Sequence, residues 1–182
     1  LAFSPSGSNF ARIYLAANTA DLKNTVDAYY IQLGESGSFD SIDLFRQQGK
    51  TRTKIIDGIQ KRIAKTNNII RVKVHHDTAG KWTLYSDTSG NYNYEKEGVV
   101  IDTMLHFLNA YSGIFCKYRS SNSQKFYFDD LFIYEEEEGL NPYTYVIDTV
   151  KYNNGVHHIN VNIICSSGQA GAVTKAVMIN NP

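Results

Sequence analysis

The chain has 182 residues, 18 of them Lys or Arg and 18 Asp or Glu, so its formal net charge is zero. That length suffices for one domain with a hydrophobic core, or for a domain plus part of a second. The balanced, dispersed charge excludes the basic stripe of a general nucleic-acid or anionic-membrane binder, and no apolar stretch is long enough to span a bilayer as a helix.

In chain order, the opening "LAFSPSGSNF" reads as the end of a strand running into a turn. A chain trimmed before Leu1 is therefore expected, and the missing signal sequence carries no information on compartment. From there the dominant period is two. "FARIYLAA", "AYYIQLG", "SIDLFRQQ" and "TRTKIID" follow one another between turn clusters such as Gly34-Glu35-Ser36-Gly37 and Gln48-Gly49. "DGIQKRIAKTNN" is open between a helical turn or two, with Ile59 and Ile63 on one side, and a long loop. In "NIIRVKVHHD" the residues Ile70, Val72 and Val74 alternate with Arg71, Lys73 and His75, the pattern of a half-buried strand. "KWTLYSD", "YSGIFCKY" and "QKFYFDDLFIY" continue it, whereas "GVVIDTMLHFLNAYSG" fits a strand or a short helix equally. Short strands at regular spacing predict an all-β antiparallel two-sheet sandwich, and 13 tyrosines and nine phenylalanines suit pleated surfaces.

After Tyr134 the texture changes. The run Glu135 to Glu138 is expected to be solvated, and Pro142 would interrupt a central strand. The expected organisation is a sandwich over 1–134, an acidic linker over 135–142, and a β-rich extension or start of a second module over 143–182, with a hairpin turn at Asn153-Asn154-Gly155. Cys116 and Cys165 both stand in apolar contexts, where a free cysteine behaves as a small hydrophobe. That reading is favoured over a bridge between them.

Several of these segments carry a likeness. "FARIYLAAN", "IDLFRQQG", "KWTLYSD" and "KFYFDDLFI", in that order, resemble the concanavalin A-like (LamG or lectin-type) jelly-roll module of large surface and secreted bacterial proteins, which often also carry lamin-tail or immunoglobulin-like domains. The likeness covers about residues 1 to 134. It implies a two-sheet jelly roll lacking its first strands here, an extracellular, cell-surface or periplasmic location, other domains in the same polypeptide, and no established catalytic residues.

The residues themselves offer few sites. Trp82 alternates with Leu84, which favours core over a ligand platform and turns Tyr85 outward, with Asp87 leading into the next turn. Tyr92 and Tyr94 in "GNYNYEKEG" share one face if extended. With Asn91, Asn93 and the outward Tyr85 they form the candidate sugar-stacking surface, against the plainer reading of tyrosines packed at a sheet rim. Tyr29 and Tyr30 point to opposite faces, so at least one is a candidate for exposure. Asp129 and Asp130 are the candidate ligands for a structural calcium ion, although neighbours on a strand diverge and calcium needs six to eight oxygens. No other cofactor is implied. Glu95 and Glu97 alternate as a glycosidase pair would, but their glycine- and tyrosine-rich surroundings read as a solvated loop. The pairs His75-His76 and His157-His158 diverge on strands and cannot close on one metal alone, and His106 is isolated.

Three functions follow as expectations. The first is a non-catalytic binding or adhesion module whose partner is a glycan, with neither nucleic acid nor membrane insertion. The second is a structural spacer without a ligand, and the last is a remnant of a glycoside hydrolase.

Overall fold

The computed structural model describes residues 1–37, 39–107, 110–133, 151, 153–164 and 170–179. The chain divides into two compact units, Leu1–Leu131 and Phe132–Pro182. The described strands are β1 (Phe10–Ala17), β2 (Ala28–Leu33), β3 (Ile42–Gln48), β4 (Thr51–Ile56), β5 (Arg71–His76), β6 (Lys81–Asp87), β7 (Glu95–Ile101), β8 (Tyr111–Lys117), β9 (Gly155–Ile164) and β10 (Ala170–Ile179). Among the described residues no helix is long and apolar enough to cross a membrane.

The first unit is an all-β sandwich of two antiparallel sheets. One has five strands in the order β4-β3-β2-β1-β8, the other three in the order β5-β6-β7. Strands β1 to β4 are successive neighbours, and β8 returns after the whole second sheet to pair with β1. A strand that returns by a long connection to lie beside the first of a meander is a Greek-key closure.

The period-two pattern explains the core. Tyr29, Ile31 and Leu33 of β2, with Ile42 and Leu44 of β3, form one buried cluster with Trp82 and Leu84 of β6. Each such side chain contributes roughly 1.5–3 kcal/mol on full burial. The Trp82 ring lies 4.5 Å from that of Tyr29, and its indole N–H donates to the Asp102 carbonyl at 3.2 Å. Its polar edge is therefore satisfied inside the core. Cys116 is a free, half-buried thiol packed against this cluster, and burial pushes its pKa up. Cys165 lies outside the described residues.

The other face of the five-stranded sheet is also covered, which corrects one expectation. Tyr30 is as fully buried as Tyr29, because Tyr14, Ala17, Val26 and Ala28 form a second cluster with it, closed by Leu22, Phe45 and Phe115. The segment between β1 and β2 folds back and removes the solvent face that alternation alone would assign.

Of two further segments, the first resolves an open alternative and the second corrects an expectation. "DGIQKRIAKTNN" is a loop: Ile63 is buried, Ile59 is exposed and Lys61 has a left-handed φ of 66°. Its amides have better partners than a helix would provide, since Gly58 N–H donates to Asp43 Oδ1 (3.0 Å), Ile59 N–H to Glu97 Oε2 (2.6 Å) and Ile63 N–H to the Asp40 carbonyl (3.0 Å). Only glycine fits at position 58, where a Cβ would meet the Ile42 carbonyl oxygen at 2.2 Å. The described part of "QKFYFDDLFIY" forms no strand, although its alternation is good. A strand needs a partner edge, and the described part of the segment has only two backbone bonds, from Ala2 N–H to the Lys125 carbonyl at 3.0 Å and from Lys125 N–H to the Asn122 carbonyl at 3.2 Å, beside a ring contact of 4.7 Å between Phe3 and Phe126.

In the second unit β9 and β10 pair over their full length, from Gly155 opposite Ile179 to Ile164 opposite Ala170. That hairpin closes between Ile164 and Ala170, so Asn153-Asn154-Gly155 leads into β9 instead of turning it. The acidic run over 135–138 and the rest of the expected linker lie outside the described residues.

Candidate saccharide-binding surface

The three-stranded sheet turns Arg71, Lys73 and His75 of β5 to the face opposite Val72 and Val74, two residues apart each time. The register places Lys73 beside Tyr85 of β6, and Tyr85 beside Lys96 of β7. One cross-strand row therefore reads Lys73–Tyr85–Lys96. Lys73, His75, Tyr85 and Tyr94 line an open depression of about 340 Å³ on this face.

The loop after β6 is built on Asp87. One carboxylate oxygen accepts the Ser89 N–H (2.7 Å) and hydroxyl (2.6 Å), and the other accepts the Tyr92 N–H at 2.8 Å. These bonds, the Ser89 hydroxyl first, hold the Asp87 carboxyl below the usual carboxylate range. They also keep Tyr92 at a φ of 62°, a conformation that a bulky residue adopts only when its surroundings impose it. The Arg71 guanidinium pairs with Asp87 at 3.7 Å and lies over the Tyr92 ring, 4.1 Å from its centroid.

The sequence-predicted tyrosines are thus divided. Residues 91 to 94 are not extended, so Tyr92 and Tyr94 do not share a strand face. Tyr94 joins Tyr85 in the depression, whereas Tyr92 is exposed and stacked on Arg71. Asn91 and Asn93 are exposed in the same loop and do not line the depression. His75 and His76 diverge as strand neighbours must: His75 faces the depression, while His76 stacks on Trp82 with ring centroids 4.0 Å apart. His106 and His158 are exposed, and the His157 ring nitrogen lies 2.7 Å from the Asn153 carbonyl oxygen.

Asp129 and Asp130 stand in the irregular segment after β8, both exposed, and the Asp130 N–H donates to Asp129 Oδ1 at 2.9 Å. Among the described residues no three His, Cys, Asp or Glu side chains converge on a metal-sized site.

"EKEG" is the clearest correction. It opens strand β7, and Glu97 is buried at the end of the core, not solvated. Its carboxylate accepts from the Ile59 N–H (2.6 Å), the Arg62 Nε–H (2.9 Å) and the Ser86 hydroxyl. Glu95 pairs with the same arginine. With three hydrogen bonds on its two oxygens, Glu97 fastens the 57–68 loop to the sandwich. No local signal disclosed this role, because Arg62 is 35 residues distant.

Asp102 plays the same part at the far end of the core. It accepts from the Tyr29 hydroxyl at 2.6 Å and from the Met104 N–H at 3.2 Å, and it pairs with Arg46. A second depression, of about 370 Å³, is lined by Lys23, Asn24, Thr25, Gln47, Gly49, Lys50 and Arg52. It is polar and contains no aromatic ring on which a sugar could stack.

An antiparallel β-sandwich with an aromatic, cation-flanked depression on its smaller sheet is the class that fold and site define. No protein-family model, no curated protein and no solved structure matches this chain.

Proposed function

We infer that the first unit is a non-catalytic binding module for carbohydrate, of the concanavalin A-like jelly-roll kind, carried by an exported protein with further domains. One observation carries the reading: Tyr85 and Tyr94 line one open depression together with two polar side chains, Lys73 and His75. Flat apolar rings with polar neighbours suit the faces of pyranose rings and the hydroxyls around them. The exported, extracytoplasmic location rests on the likeness of the strand motifs, and the Greek-key return of β8 is in keeping with a jelly roll.

A spacer that binds nothing is the second reading, and the openness of the depression is what favours it. A hydrolytic role draws no support from Glu95 and Glu97, which are tied to Arg62. A glycan array separates the first two readings. Selective hits that weaken in Tyr94→Ala and Tyr85→Ala are expected, with Tyr92→Ala acting more mildly through the loop. Uniformly negative arrays with folded protein would leave the spacer.

A further inference from the structure

The geometry points to an anionic saccharide, one whose rings carry carboxylate or sulfate groups, as the ligand of the Tyr85–Tyr94 depression. The inference rests on the saccharide reading of that depression and adds the charge of the ligand.

Its basis is the cross-strand row. Lys73 and Lys96 stand on either side of Tyr85 on neighbouring strands, so their Cα atoms are about 10 Å apart, two strand spacings. Both are exposed, and neither has a carboxylate partner among the described residues. The nearby acids are engaged elsewhere: Asp87 with Arg71, Asp77 with Lys81, and Glu95 with Arg62. Two uncompensated ammonium groups thus bracket one aromatic ring, in a chain whose formal net charge is zero. The excess is local, not a property of the whole surface.

A neutral sugar needs one stacking ring and hydroxyl partners. An ammonium can donate to a hydroxyl of such a sugar, but only an acidic ring adds a charge-assisted pair at each of the two cations. A sugar stacked on Tyr85 with acidic groups directed along the strand-to-strand axis would meet an ammonium on each side. Single-stranded nucleic acid also combines aromatic rings with cations, but it follows an extended basic track over several nucleotides. Here the cations and rings are confined to a single patch.

The test is titration calorimetry of the full chain with three probes of equal length: an oligouronate, its carboxyl-reduced neutral counterpart, and a sulfated form of that neutral oligomer. Oligothymidylate serves as a fourth. The expected result is that one or both acidic oligomers bind about tenfold more tightly than the neutral one, the effect of two exposed ion pairs. The preference should shrink as salt rises. In Lys96→Gln, whose lysine does not line the depression, the preference should shrink while weak neutral binding and the melting temperature stay, and in the double variant Lys73→Gln, Lys96→Gln the preference should vanish. Which acidic oligomer responds tells carboxylate from sulfate recognition. Equal binding of the neutral oligomer overturns the inference and leaves the saccharide reading standing. Absence of binding by every saccharide, with folded protein, overturns both. Tight binding of oligothymidylate alone would make the patch a nucleic-acid surface.

Discussion

The Arg71 guanidinium lies 4.1 Å above the centre of the Tyr92 ring while pairing with Asp87, the residue that caps the loop carrying Tyr92. Strand β5 therefore holds the conformation of the β6–β7 loop from outside that loop. Asp87→Ala should free the Ser89 and Tyr92 amides together, seen as lost hydrogen-exchange protection at both, with the strands unaffected. Protection that persists at Tyr92 would mean that Arg71 alone holds the loop.

The pH dependence of this loop follows from the depressed Asp87 carboxyl. A carboxyl whose folded pKa lies below its unfolded value, near 4, adds stability that is complete above that value and lost as pH falls through the folded one. The loop should stay ordered at pH 5 and loosen only below about pH 4. Amide shifts of residues 88 to 92, followed by NMR, would report it, and loosening near pH 6 would be inconsistent with the cap.

Glu97→Ala should destabilise the first unit by about 2–4 kcal/mol, because it strands the Ile59 amide and the Ser86 hydroxyl and leaves Arg62 with only the exposed Glu95. Glu95→Ala, removing only an exposed carboxylate from the same arginine, should cost less than about 1 kcal/mol. Urea midpoints of the two variants make the comparison, and similar values would refute the fastening role of Glu97.

Tyr29 and Tyr30 have pKa values pushed up to about 12, in both chiefly by burial and in Tyr29 also by its bond to Asp102. Exposed tyrosines ionise near 10. A group whose folded pKa is raised adds stability that is present below its unfolded value and lost as pH rises through the folded one. Ultraviolet titration should show two late tyrosines whose ionisation coincides with alkaline unfolding. In Tyr29→Phe one of the two should disappear, with a stability loss of about 1–2 kcal/mol.

Trp82, the only tryptophan, reports on its neighbour. Burial lowers the pKa of His76, which is stacked on the indole. The fold stability tied to this histidine is therefore full above the unfolded value of about 6.5 and lost as pH falls through the folded one. Trp82 fluorescence should fall within that window, below pH 6.5, as imidazolium forms against the indole. The response should be flat in His76→Gln; an unchanged response there would assign it to His75 or His106.

How much of this was legible in the chain differs by feature. Apart from β7, the strands from "FARIYLAA" to "YSGIFCKY" and the inward Trp82 and Leu84 follow from local alternation, which reads one side chain against its neighbour. Glu97, Asp102 and Tyr30 did not, because what buries them lies far along the chain: Arg62 for Glu97, Tyr29 and Arg46 for Asp102, Phe45 and Phe115 around Tyr30. "KFYFDDLFI" shows the opposite failure, a strand-like pattern that finds no edge. Of the candidate site, Tyr94 and Tyr85 could be named from the sequence. Lys73 and Lys96 could not, since only the register of three strands sets them beside Tyr85.

The central claim is the location of binding, and NMR mapping of the isotope-labelled chain during titration with an array-selected saccharide tests it most directly. Shifts should concentrate at Lys73, His75, Tyr85, Tyr94 and Lys96, with a smaller response at Tyr92 through its loop. Shifts centred instead on Lys23, Lys50 and Arg52, or no saccharide that moves any amide, would contradict it.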